Sequence, residues 1–440
     1  MKLVAAILTL LVSLGTTVAR AQTPRDHHNI QNVVVIFQEN RTPDNLFGSN
    51  PSFLPGVDIA TSGVNSQGQQ IPLTPVALAN NYDLSHAHSA FVAMYDNGKM
   101  DGADKVQVSC NKGAVGCPPA NPQFKYVDNS TGLLDPYFQL AEQYTFGDRM
   151  FQTNQGPSFP AHQFIISGTS APSAGSNLFA AENPGGVVNA NNNTGCAAPS
   201  AEFVKMIDPS GSESQRMYPC FEHQTLADLL DNAGVSWRYY TPLAGSIWTG
   251  PNAIQHLRFG SDWNNDVVLN SAQVLTDIAN GQLANVSWVI PTGQESDHPG
   301  GGQGLGPSWV ASIVNAIGSS QYWNNTAIFI TWDDWGGWYD HVAPTVINSY
   351  EYGFRVPLIV VSPFAKQGYV SHVTHDFGSI LKFIEGVYHL PSLGYADAMA
   401  DDLSDCFDFH KHNRFRKIPA PHDAKYFLND KTPPEDPDDD

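Results

Sequence analysis

Residues 31–48 read QNVVVIFQENRTPDNLFG. Val33 to Phe37 is an unbroken run of β-branched, aliphatic and aromatic residues, the pattern of a strand buried on both faces of a parallel sheet. Its carboxyl end delivers Glu39 and Asn40 side by side, one carboxylate and one amide oxygen. Thr42, Pro43, Asp44, Asn45 and Gly48 then supply turn chemistry. Open α/β sheets bind ligands at that end of their strands. The bland alternative is an ordinary strand with a polar end.

Working outward, residues 48–79 are rich in Pro, Gly and Asn and read as a long loop or irregular lobe. Residues 82–100 are expected to form a helix from an Asp/Ser cap, with His86 in it, and 136–144 another. Gly156-Pro157-Ser158 reads as a tight turn before a helix over 161–167, which leaves Ser158 among free backbone amides, a natural anion site. Residues 171–219 are expected to be an insertion that forms part of the cleft wall. Helices over 225–233, 271–280 (capped by Ser271), 308–317 and 377–388 then alternate with strands over 235–240, 286–290, 326–332 and 356–362. That alternation predicts an α/β fold with a mostly parallel central sheet, helices on both faces and loop-rich insertions. The domain plan is a leader (1–21), a catalytic domain (22–403), and a C-terminal extension (404–440) ending in a solvated acidic tail, PPEDPDDD.

The leader has Lys2, an apolar run over 3–14 and Ala19-Arg20-Ala21 as a cleavage site, so a secreted or periplasmic protein with no stable membrane anchor is expected. Five cysteines fit an oxidising compartment: Cys110–Cys117 and Cys196–Cys220 are the expected local disulfides, with Cys406 unpaired. The formal charge of -20, from 42 acidic and 22 basic residues, excludes nucleic acid as a partner and argues against a polybasic membrane-docking patch. It would also repel a phosphate unless the site carries a cation. Fifteen histidines, charging as pH falls, point to a low working pH.

The strand over 326–332 runs into Asp333-Asp334 and then WGGWYDHV with His341. Adjacent carboxylates repel, and a hard cation with oxygen ligands resolves that cost. A third strand end, VSWVIPTGQESDHP, brings Asp297 and His298 to the same edge. Neutral imidazoles ligate metal; protonated ones hold phosphate or give a proton to a leaving group. His372 and His375 read as supporting or helix-capping groups, and Trp332, Trp335 and Trp338 as an apolar rim or as packing.

The ordered set ENRTPDNLFG, SHAHSAFVAMYDNGKMDG, GPSFPAHQF, SDHP, WDDWGGWYDHV and RVPLIVVSPFAKQGYVSHVTHDFGSILKFIE resembles the bacterial phosphoesterase family of non-specific phospholipases C and acid phosphatases. The resemblance implies an alkaline-phosphatase-like fold and one metal held by Glu39, Asn40, Ser158, Asp333 and Asp334. Ser158 is implied as nucleophile through a phosphoseryl intermediate, with His86, His298 and His341 around the phosphate and Asp44 and Asp297 orienting them. The implied partner is a phosphate ester, either a monoester or a phospholipid headgroup diester. The oxygen-rich ligand set favours Ca²⁺, Mg²⁺ or Mn²⁺ over zinc. Serine at position 158 leans toward the acid phosphatase branch, since phospholipases C of the family usually carry threonine there. Two alternatives stand beside this reading. One is a sulfatase or phosphonate hydrolase on the same fold, weakened because GPSFPAHQF lacks an arginine two residues beyond the proline. The other is a secreted binding protein with a calcium-stabilised cleft.

Overall fold

The computed structural model describes residues 29–185 and 193–434, so the expected leader and the end of the acidic tail lie outside the described residues. Eight strands form the main sheet: Asn32–Gln38 (β1), Thr145–Gly147 (β2), Trp237–Tyr240 (β3), Val267–Val268 (β4), Val286–Val289 (β5), Thr326–Trp332 (β6), Leu358–Val361 (β7) and Tyr369–Ser371 (β8). Their order is β4-β3-β5-β1-β6-β7-β2-β8. Only β7 runs against its neighbours; the other pairings in this sheet are parallel. β1 sits at the centre and every one of its residues is buried, as its unbroken apolar run requires.

The main helices are His88–Tyr95 (α1), Asp135–Gln143 (α2), Ser158–Ser167 (α3), Leu226–Ala233 (α4), Gln273–Ala279 (α5), Gly306–Gly318 (α6) and Phe377–Tyr388 (α7). Local signals set several boundaries. Thr225 and Asp228 make a capping box on α4, which ends at Gly234 in the left-handed conformation; Asp376 and Ser379 make another on α7. Residues 171–219 include a three-stranded sheet (Phe179–Ala180, Val204–Ile207, Gln215–Met217) whose buried Val204, Met206 and Ile207 join the main core. The segment after residue 403 also packs on that core through Cys406, Phe407, Ile418 and Phe427, and holds a short helix over Ala424–Asn429 that the fading apolar pattern did not signal. Cys110–Cys117 and Cys196–Cys220 are disulfides and Cys406 is a buried thiol.

Two expectations need correcting. The helix expected from residue 82 starts only at His88, because Tyr82–Leu84 is a strand paired with Val108–Cys110. Buried Tyr82 and Leu84 flank a less buried Asp83, the alternation of a strand, so tertiary pairing overrides the cap signal and places His86 ahead of the helix. Ser271 is not a cap either: Asn270 accepts from the Ala272 amide before α5 begins. Among the described residues no helix is long and apolar enough to cross a membrane.

Candidate active site

Strand register assembles the site. Gln38 pairs with Trp332 across β1 and β6, and the Asp333 amide donates to the Gln38 carbonyl at 2.9 Å. The next residues on each strand, Glu39-Asn40 and Asp333-Asp334, therefore leave the sheet at one level, and all four are buried. The Asn40 amide donates to Asp333 Oδ1 at 2.9 Å. Asn40 holds φ 61°, a left-handed conformation that asparagine tolerates better than most residues. Gly336 lies so close that a Cβ there would meet the Asn40 carbonyl oxygen at 2.4 Å, so the turn after the aspartates needs glycine.

Ser158 is the first residue of α3, and its hydroxyl donates to Asp334 Oδ2 across a long 3.4 Å. Gln152 joins the two loops: its amide donates to the Asn154 and Gly156 carbonyls while its Oε1 accepts from the Trp335 amide. The expected cradle of free amides around Ser158 is largely spent. The Phe159 amide donates to Asn183 Oδ1 at 2.9 Å, Pro160 has none, and the Ala161 amide turns to the Pro157 carbonyl.

His162, one turn along α3, is the residue that sequence reasoning missed. Its Nε2 lies 3.3 Å from Glu39 Oε1. The Tyr239 hydroxyl gives its one proton to the Trp248 carbonyl, so it accepts from His162 Nδ1–H and leaves Nε2 facing Glu39. One ligand atom each from Glu39, His162 and Asp333 lie within 4.8 Å of one another. Buried Asn40 Oδ1 accepts no hydrogen bond from any described residue. A converging set of carboxylates, an imidazole nitrogen and an amide oxygen fits a divalent cation, though not the all-oxygen set expected from sequence. A signal for His162 was present: it occupies the position two beyond Pro160, where the missing arginine argued against a sulfatase.

His86 and His298 stand beside this cluster with ring centroids 6.2 Å apart, and His86 Nε2 is 3.4 Å from Asn40 Nδ2. Each is held in one tautomer, for Nδ1–H donates to a backbone carbonyl, Leu84 at 2.9 Å and Pro299 at 2.6 Å. In that tautomer His86 Nε2 accepts from the Asn40 side-chain amide, at the edge of the Glu39 and Asp333 cluster.

The structure does not bring His341 into that set. Its ring nitrogens contact Asp44 at 2.7 Å and Asp58 at 2.9 Å. Arg355, fully buried, lies among Asp44, Asp340 and His341 and pairs with Asp340 through both Nε and Nη2. Burial draws the His341 pKa down, but the Asp44 hydrogen bond and the nearby carboxylates push it up to about 9. Asp44 thus holds His341 apart from that set, and Asp297 hydrogen-bonds no histidine through its carboxylate among the described residues. Its carboxylate accepts from Tyr137 and Trp332, its carbonyl from Arg41, and burial raises its pKa to about 6 against the pull of Arg41. Trp332, Trp335 and Trp338 are fully buried, which removes the apolar-rim reading. His372 pairs with Asp148, and His375 lies in a separate cluster.

A model of the Phosphoesterase family matches residues 30–391. The chain is 26% identical to a hemolytic phospholipase C of Pseudomonas aeruginosa over 87% of its own length and 56% of that protein, and thus spans little more than half of that relative. It is 23% identical to phospholipase C B of Mycobacterium tuberculosis over 87% of its length and 78% of that protein. Among solved structures, a Vibrio parahaemolyticus protein of the alkaline phosphatase superfamily aligns at TM-score 0.37 and 10% identity over 84% of this chain and 70% of that one. Murine ectonucleotide pyrophosphatase/phosphodiesterase 5 aligns at TM-score 0.39 and 9% identity over 62% and 94%.

Proposed function

The chain belongs to the Phosphoesterase family, and from that premise we propose that it is an exported, metal-dependent phosphoric ester hydrolase with Ser158 as nucleophile. The observation that carries the reading is the β1–β6 register, which sets Glu39-Asn40 against Asp333-Asp334, with the Ser158 hydroxyl directed at Asp334. Glu39, Asn40, Ser158, His162, Asp333 and Asp334 would hold one divalent cation. When bound, that ion offsets phosphoryl charge and favours the alkoxide form of a serine.

Ser158 Oγ attacks phosphorus, its proton passes toward Asp334, and the P–O bond to the alcohol breaks. His86 or His298, protonated at Nε2, delivers a proton to the departing oxygen, and the other offsets charge on the phosphoryl oxygens. Water then opens the phosphoseryl ester with the same histidine as base, giving net retention at phosphorus. With few amides open at the α3 start, His86 and His298 carry the anion binding, and a cation held by Glu39, Asn40 and Asp333 would add to it. The two disulfides support export to an oxidising compartment. Phospholipase C relatives favour a headgroup diester, and Ser158 a monoester.

The test is turnover of p-nitrophenyl phosphate and p-nitrophenyl phosphorylcholine from acid to neutral pH, with and without chelator. Hydrolysis that chelator abolishes and a divalent cation restores is expected. Turnover of neither ester with any divalent cation would refute the reading. Asp333→Asn should weaken cation binding by at least about 10- to 100-fold, read by elemental analysis after dialysis.

A further inference from the structure

A second convergence of donors lies at the β8 edge of the sheet, apart from Ser158. His375 precedes the cap of α7, and Asp405 and Cys406 belong to the short turn Ser404–Cys406 in the segment that returns over that edge. His375 and Cys406 are fully buried, and one ligand atom from each of the three residues lies within 4.8 Å of the others.

We propose that His375, Asp405 and Cys406 form a structural site for a zinc-class divalent ion that fastens the C-terminal segment to the sheet. The donor set of imidazole, carboxylate and thiol suits zinc and disfavours calcium or magnesium. Spacing agrees: His375 Nε2 is 3.5 Å and Cys406 Sγ 3.6 Å from Asp405 Oδ1. Tetrahedral bonds of about 2.0–2.3 Å put neighbouring ligand atoms about 3.3–3.7 Å apart.

The surroundings match what a metal histidine needs. Asp401 Oδ1 lies 3.1 Å from His375 Nδ1, placed to accept a proton there once Nε2 binds the ion. Ser371 Oγ donates to Asp405 Oδ2, leaving Oδ1 as the carboxylate's ligand atom, and so accepts from His375 Nε2–H at 2.9 Å until an ion displaces that proton to Nδ1. Asp401 and Asp405 are partly exposed while His375 and Cys406 are not, so the ion enters from the carboxylate side. Binding forms an Sγ–metal bond and releases the Cys406 thiol proton to solvent, one per ion.

The site also explains what the segment holds. The Cys406 carbonyl accepts from Thr145 Oγ1 on β2 and from the Lys366 amide, each at 3.0 Å, and Phe407 bridges Ala365. An ion at Cys406 therefore ties the β2–β8 edge to the chain that crosses it.

The experiment is cobalt titration of the full chain in excess Mg²⁺ and Ca²⁺. One equivalent should raise a near-ultraviolet thiolate-to-cobalt charge-transfer band and release one proton, and zinc should abolish the band and raise Tm. The band belongs to thiolate ligation, so cation binding at Ser158 does not produce it, and failure here is distinct from failure of the hydrolase reading. Cys406→Ser should remove the band and the zinc-dependent Tm shift while ester turnover persists; Asp405→Asn should weaken cobalt binding at least tenfold. A folded wild-type chain without the band, or a band that survives in Cys406→Ser, overturns the proposal.

Discussion

Two buried clusters of carboxylates flank the carboxyl end of β1, and they solve the same electrostatic problem differently. Asp44 and Asp340 enclose Arg355, so the cation that offsets them is part of the chain. Glu39 and Asp333 converge with His162, with Asn40 and Asp334 next to them in the chain, and none of these groups carries the fixed positive charge of an arginine. Both sets lie beside a histidine, His341 in the first and His162 in the second. What separates them is a single side chain from the segment before β7, since Arg355 reaches the first set and thereby makes it structural. Acidic clustering alone does not mark a metal centre; the identity of the group at its middle does.

The sharpest way to break the comparison is Ser158→Ala. Turnover should fall by on the order of 10³-fold or more with circular dichroism unchanged, since the nucleophile acts as a unit with its partners. Near-normal kcat in this variant would mean that water attacks directly.

Arg355→Met attacks the other cluster. Removing one partner of a buried charge set leaves Asp44 and Asp340 uncompensated, so about 3–5 kcal/mol of stability should be lost in urea unfolding. If the midpoint barely moves, Arg355 is not what holds that cluster.

The pH dependence follows from His341. Its folded pKa, about 9, lies above the ordinary 6.5, so its stabilisation is fully present below 6.5 and is lost as pH rises through about 9. Wild-type Tm should therefore decline across that window, and His341→Gln should flatten the decline. An unchanged slope in the variant would assign the titration elsewhere.

The smallest expected effect concerns how the two site histidines are held. The strand Val108–Cys110 pairs with Tyr82–Leu84 just before His86, and the neighbouring Asn111 side chain donates to the Gly300 carbonyl in the loop carrying His298. Asn111→Ala removes one hydrogen bond, worth about 1 kcal/mol, so kcat should drop about fivefold at unchanged cation affinity. A rise in KM alone would place Asn111 in substrate binding instead.

Much of the site was legible in sequence because strand ends are local features. An apolar run followed by Glu39-Asn40, and another followed by Asp333-Asp334, mark where two strands stop, and parallel-sheet geometry puts such ends on one face. His162 was not legible in that way, since its role depends on a helical turn placing it over Glu39 and on Tyr239 fixing its tautomer from another strand. His341 failed for the converse reason. Its motif follows the aspartates in sequence, yet the glycine turn at 336–337 swings it to Asp44 and Asp58. The amides at the α3 start looked available in sequence, and only packing of the 171–219 segment brought Asn183 onto one of them.

Strand and helix alternation, the disulfide pairs, the family and the acidic residues at the strand ends were readable from the residues alone, because these depend on short-range pattern and composition. Long-range packing settled which acidic cluster carries its own cation, that His162 meets Glu39 and His86 meets Asn40, and that Cys406 meets His375 and Asp405. Those facts depend on contacts between residues far apart in the chain, where register and packing, not local propensity, set the distances.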